Sequence, residues 1–138
     1  PLRSSAASDV YKRQGYGDNF ISVLISHSSK EMSDFIEAIH KIKRKINHSA
    51  YLGDLLVTTY SSFSRNRTFG NMIGKGYSIN SAKAEMNMIV EGYYATKNAS
   101  LISKKLSKKF LIIDVCHKIL FENRSANKQI RKLSKELY

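Results

Sequence analysis

Proline and cysteine are all but missing from this chain: each occurs once, as Pro1 and Cys116. With no proline after the first residue, no position locks φ or lacks a backbone donor, so nothing interrupts long helices. A single thiol cannot close an internal disulfide and has no second sulfur with which to share a metal. Cys116 sits between Val115 and His117 in an apolar stretch, where a core thiol is expected rather than a reactive one. No apolar run approaches the roughly 20 residues that span a bilayer, and the N-terminus lacks the basic, apolar and small-residue succession of a signal peptide. Cytoplasm is the expected compartment. Acidic residues are scarce too, 11 against 23 lysines and arginines, which leaves a net charge of +12. The expected partners are therefore anionic, whether nucleic acid, phosphorylated metabolites or acidic membranes.

The 138 residues are 42% hydrophobic and 10% aromatic, too apolar for a disordered chain and long enough for one domain with a modest core. Residues 1–14, PLRSSAASDVYKRQ, have no periodicity or turn logic and resemble translated adaptor sequence. They are set aside as an adaptor-like segment that is not native, and the folded domain is expected over 15–138. The set-aside residues carry a net +2, so the remaining +10 keeps the domain strongly basic.

From Ile21 the apolar residues Ile21, Leu24, Ile25, Met32, Phe35, Ile36 and Ile39 form the stripe of an amphipathic helix, with Asp18 and Asn19 placed to cap it. Lys41, Lys43, Arg44 and Lys45 read as its solvated basic end. LGDLLVTTY, over 52–60, is rich in β-formers, and propensity alone makes it a strand. A loop at Ser64, a short helix and a turn over Gly74 to Gly76 follow. Ser78 is placed to cap a helix over Ile79 to Asn87. The next helix is expected to carry Val90, Tyr94, Leu101 and Ile102 on one side, and another to carry Ile112, Cys116, Ile119 and Leu120. A last helix, capped by Ser125, lines up Ala126, Ile130, Leu133 and Leu137, with Lys128, Arg131, Lys132 and Lys135 facing water. Apart from the one β-rich segment, the chain reads as all-α.

Several motifs fail on spacing. GNMIGKG is one residue short of a phosphate loop and has Gly76 where the magnesium-binding hydroxyl should stand. Gly15-Tyr16-Gly17 lacks the third glycine and the preceding strand of a dinucleotide fingerprint. His27, His40, His48 and His117 form no pair at a metal-binding offset, so no metal is expected. Ser64-Arg65-Asn66, ahead of the short helix, could grip a phosphate through the planar fork of donors on arginine. Taken alone, it is read more readily as a helix cap.

Read in order, GYGDN, LGDLLVTTYSSFSRNRTFGNMIGKG and EMNMIVEGYYATK resemble the C-terminal region of bacterial NAD(P)-dependent glycerol-3-phosphate dehydrogenases. The likeness covers nearly everything from Gly15 onward. Its most specific parts are the GDL segment, the SRN triplet ten residues after the aspartate, and the VEG segment twenty-six residues after Arg65. The resemblance implies a multi-helix domain of the 6-phosphogluconate-dehydrogenase-like type, incomplete at its N-terminus. It also implies an enzyme moving hydride between NAD or NADP and carbon 2 of glycerol 3-phosphate or dihydroxyacetone phosphate, feeding glycerophospholipid synthesis.

Matched residue by residue, Asp54 stands for the family's active-site aspartate, and Ser64, Arg65 and Asn66 for its substrate-binding triplet. Arg65, Ile89 and Glu91 stand for positions near the dinucleotide. The resemblance makes LGDLLVTTY a helix, against its β-propensity, and the helix is the expectation adopted. Ala50, Tyr51, Leu111 and His117 depart from residues common in the family. The family's catalytic lysine precedes GYGDN, where the adaptor-like residues stand, and Lys12 lies too close to serve as that base. A Rossmann domain is expected to be absent from this polypeptide, which is therefore expected to be inactive alone and to expose apolar surface that a partner domain would cover. No metal, nucleic acid or membrane insertion is expected, and the full-length enzyme could pair as a homodimer. The rival reading is a small basic helical domain binding nucleic acid through Lys41 to Lys45, Lys104, Lys105, Lys108, Lys109 and the C-terminal basic face.

Overall fold

The computed structural model describes residues 17–40, 56, 61 and 64–138, and everything below concerns those residues. They form six helices and no strand: α1 (Gly17–His40), α2 (Arg65–Gly74), α3 (Ile79–Glu85), α4 (Glu91–Lys105), α5 (Leu111–Phe121) and α6 (Ala126–Leu137). The all-α expectation holds. Asp18 and Asn19 fall inside the first turn of α1 rather than before it, so neither is the predicted cap. Of LGDLLVTTY only Leu56 is described, and it is helical; Asp54 and the basic run from Lys41 to Lys45 lie outside the described residues.

Three helices start on a serine whose hydroxyl accepts a backbone amide of the first turn. Ser64 takes Arg67 N at 3.3 Å, Ser78 takes Ser81 N at 3.1 Å and Ser125 takes Lys128 N at 3.4 Å. Each offsets one of the amides that a helix N-terminus leaves unpaired. α5 has no such residue, because Phe110 occupies its N-cap. Its missing cap comes from Glu31 in α1, whose two carboxylate oxygens accept Ile112 N and Ile113 N, each at 2.9 Å.

Helix ends are closed by a second device. After α2, Tyr77 N donates to Met72 O at 3.0 Å and Gly76 N to Ile73 O at 3.1 Å, with Gly76 at φ 99°. This paired closure needs a left-handed residue, which is why the turn falls on glycine. Ser107 at φ 49° and Asn123 at φ 52° take the same position after α4 and α5 without being glycine.

The core joins Phe20 and Leu24 of α1, Phe69 and Ile73 of α2, Ala82 of α3, Val90 at the start of α4, Val115 and Ile119 of α5, and Ile130 and Leu133 of α6. α5 lies between α4 and α6, while α1 packs on α5 and α6 and α2 touches α3, α4 and α6. α6 follows its predicted stripe: Ile130 and Leu133 are buried and Lys128, Arg131, Lys132 and Lys135 are exposed. α4 does not. Tyr94 and Leu101, expected inside, are 49% and 50% exposed, while Tyr93 packs against Phe69 and Phe121, with Ser100 buried and Thr96 half-buried on the inward side. The hydroxyl of Thr96 bonds back to Gly92 O at 2.7 Å, so a polar residue occupies the inward face without an unmet donor.

Candidate functional site

α2 begins where Ser64, extended at φ −66° and ψ 119°, turns the chain into a helix. Its hydroxyl accepts Arg67 N, and Thr68 Oγ1 donates to its carbonyl at 3.1 Å. Ser64 is therefore a cap. Its own hydroxyl proton remains available to a ligand, since the bond recorded for Oγ uses it as an acceptor.

The cap sets the next two side chains against a segment far away in sequence. Arg65 Nη1 donates to Ile89 O at 3.1 Å, and Asn66 Oδ1 accepts Gly92 N at 3.1 Å. The two signatures that the sequence separates by more than twenty residues thus form one edge, with the start of α2 fastened to the start of α4. This fastening is what α4 lacks of its own: its N-cap is Val90, 6% exposed, with no side chain able to accept an amide. Asn66 supplies that acceptor from the neighbouring helix.

Gly92 leaves room for Asn66 at this junction. A β-carbon there would stand 2.7 Å from Asn66 Oδ1 and 2.9 Å from its Cγ, so the Asn66 side chain would have to move away. Sequence reasoning singled out Ile89 and Glu91 in this segment and missed Gly92. The available signal was a glycine in a helical first turn, where it costs roughly 1 kcal/mol against alanine and so needs a packing reason.

Arg65 is exposed, and a guanidinium carries five donors, only one of which is spent on Ile89. No acidic residue occupies the first turn of α2, whose dipole adds further positive potential. Asn66 uses its oxygen on Gly92 and keeps its two amide donors. The edge can therefore hold an oxyanion by charge-assisted donors from Arg65 and neutral ones from Ser64 and Asn66. Asp54 lies outside the described residues, and this edge is built without it.

Ile89 is 67% exposed beside the arginine, and Glu91 is exposed in the first turn of α4. Together they present an apolar ledge and a carboxylate beside the Arg65 edge. Next to them Lys83, Met86, Met88, Ile89, Tyr93 and Tyr94 line a cavity of about 350 Å³. Lys83 Nζ sits 4.4 Å from the centre of the Tyr93 ring.

Cys116 is half-buried and lines a small cavity behind Asn66 with Phe69, Gly92 and Leu120. Burial pushes its thiol up to about 11, which keeps it protonated and unreactive at neutral pH. Among the described residues no group of three His, Cys, Asp or Glu gathers where it could hold a metal ion, and no helix is long and apolar enough to cross a membrane.

Residues 5–131 match a family model described as NAD-dependent glycerol-3-phosphate dehydrogenase C-terminus. The match begins ten residues upstream of Gly15, inside the segment set aside on sequence. A glycerol-3-phosphate dehydrogenase (NAD(P)+) of Staphylococcus saprophyticus is 36% identical over 129 residues, 94% of this chain and 39% of that protein. One from Fusobacterium nucleatum is 37% identical over 127 residues, 92% of this chain and 38% of its own. The crystal structure of glycerol-3-phosphate dehydrogenase from Coxiella burnetii superposes with a TM-score of 0.80 at 26% identity, covering 93% of this chain and 39% of that one. The chain thus spans about two fifths of the length of the relatives it matches.

Proposed function

Because this chain belongs to the NAD-dependent glycerol-3-phosphate dehydrogenase C-terminus family, we propose that it is the substrate-holding helical domain of an enzyme that interconverts dihydroxyacetone phosphate and glycerol 3-phosphate. The observation that carries the reading is the fastening of Arg65 and Asn66 onto Ile89 and Gly92. It gathers cationic and neutral donors on one edge, with an exposed apolar ledge beside them. That edge suits a small phosphate ester lying against a planar cofactor.

In this proposal Arg65 grips the substrate phosphate and Ser64 and Asn66 donate to its oxygens, holding the reacting carbon in one orientation. Asp54 joins the substrate from the segment before α2. Ile89 and Glu91 touch NAD or NADP, which supplies or accepts the hydride and is bound mainly by a separate nucleotide-binding domain. The proton of the substrate oxygen is handled by a lysine of the full-length enzyme. The setting is the cytoplasm and the product serves glycerophospholipid synthesis. A purely nucleic-acid-binding domain would account for the charge, but the family match and the paired edge favour the dehydrogenase.

The test is oxidation of NADH or NADPH by the complete enzyme with dihydroxyacetone phosphate, with and without Arg65→Ala. Turnover is expected, with the KM of the variant raised more than tenfold, since a charged hydrogen bond is worth about 1.5–3 kcal/mol. Absence of turnover with either cofactor overturns the dehydrogenase reading. Turnover with an unchanged KM removes Arg65 from the phosphate site.

A further inference from the structure

Between Glu91 and Asp114 there is no acidic residue, and five lysines fill the interval. Lys97, Lys104, Lys105, Lys108 and Lys109 are exposed, and among the described residues none has a carboxylate within ion-pair distance. Such a run is ordinarily a solvated face. Here three of the five converge on a cavity of about 270 Å³ where α4 passes into α5, and Lys104, Lys108 and Lys109 share its wall with Ser100, Ser103 and Ser107.

Two observations separate this cavity from diffuse surface charge. Ser100 is 7% exposed and lines the cavity, and its hydroxyl has no hydrogen-bond partner among the described residues. That hydroxyl faces the solvent-filled cavity, where water or a ligand can supply the partner. Ser107, also on the wall, holds φ 49° at the closing position of α4, where glycine is the easy choice. The turn around it is pinned: Ser107 N donates to Lys104 O and Lys108 N to Ser103 O, both at 3.1 Å, and the Ser103 hydroxyl donates to Lys108 O. The lysines after it therefore spring from a fixed backbone.

The nearby carboxylates are already engaged. Asp114, on the wall, pairs with Lys118 at 2.8 Å, and Glu31 is committed to the amides of Ile112 and Ile113. The cavity lies at the opposite end of the 15-residue α4 from Arg65 and Asn66, roughly 20 Å away at about 1.5 Å per residue. It is not the site described above.

We propose that this cavity is a second anion site, built for the phosphate group of a soluble phosphate ester or a phospholipid headgroup. Three ammonium groups balance a phosphate, and the hydroxyls of Ser100 and Ser107 can donate to oxygens that a two-oxygen carboxylate would not provide, the Ser103 proton being spent on Lys108 O. An open cavity of about 270 Å³ has room for one phosphate and its adjoining carbons.

The test titrates inorganic phosphate into the isotope-labelled full chain carrying Arg65→Ala, which silences the other anion edge, while following the backbone amides of residues 100–109 by NMR. Saturable shifts there are expected. Lys104→Gln with Lys108→Gln should weaken them roughly tenfold, and Ser107→Gly about threefold, as expected for lost charged and neutral hydrogen bonds. Ser107→Gly relieves the left-handed conformation, so it folds at least as well as the parent and cannot lose binding by unfolding. Sedimentation with phosphatidylglycerol vesicles but not phosphatidylcholine vesicles, lost in the lysine variant, assigns the phosphate to a lipid; saturation by phosphate without sedimentation assigns it to a soluble ester. Shifts that are absent, or that persist unchanged in both sets of variants, overturn the proposal.

Discussion

Glu31, in the middle of α1, holds the first turn of α5 by accepting Ile112 N and Ile113 N on its two oxygens. Burial pushes its carboxyl above the ordinary 4.5, and the amide bonds pull it only part of the way back. An acid whose pKa is higher in the folded state keeps its proton to higher pH there than in the unfolded chain. The stability linked to that proton is fully present below 4.5 and is lost as pH rises through the raised value. Glu31→Ala should cost about 1 kcal/mol as a lost cap. In denaturant titrations from pH 4 upward, the difference between parent and variant should shrink as pH rises; a difference independent of pH would contradict the buried carboxyl.

Gly92→Ala should drive Asn66 off the start of α4, leaving Gly92's amide without its acceptor at a cost of about 1–3 kcal/mol, partly offset by up to about 1 kcal/mol of better helix propensity. In an Asn66→Ala background the clash is gone, and the same substitution should be neutral or stabilising. Equal effects in both backgrounds, measured as a double-mutant cycle, would show that the two residues do not meet.

The thiol of Cys116 should react with iodoacetamide far more slowly in the folded chain than in the unfolded one at pH 8. Its rate should keep climbing toward pH 11, where burial has moved the titration. Its contribution to stability should be constant below pH 9.0 and decline above, because the unfolded chain releases the proton first. Labelling as fast as that of a free thiol at pH 8 would refute this.

Leu133, 1% exposed at the centre of the core, should cost about 2–5 kcal/mol on change to alanine. Arg131→Ala and Lys132→Ala, on the exposed side of the same helix, should each stay within about 0.5 kcal/mol. Chemical denaturation of the three variants gives the comparison directly.

The last helix was legible because its buried residues are aliphatic and its exposed ones charged, so period and polarity agree. α4 was misread because its inward face carries Thr96 and Ser100, whose hydroxyls look solvent-loving in sequence while large residues such as Tyr94 and Leu101 stand outside. Spacing alone could not reveal that Asn66 meets Gly92, since the contact bridges two helices; the family resemblance named the segments without naming the glycine. The cap on α5 was hidden in the same way. Its only trace was negative: Phe110, which cannot accept an amide, stands where Ser64, Ser78 and Ser125 stand elsewhere.

The bond from Glu31 to Ile112 spans 81 residues. A chain made from its N-terminus forward must finish α4 and enter α5 before this carboxylate meets its partners, so α1 cannot settle early. Closing so long a loop costs entropy before any contact repays it. The start of α5 should consequently order late, in the same step that docks α1, and slow-exchanging amides should appear in both helices together rather than in sequence order.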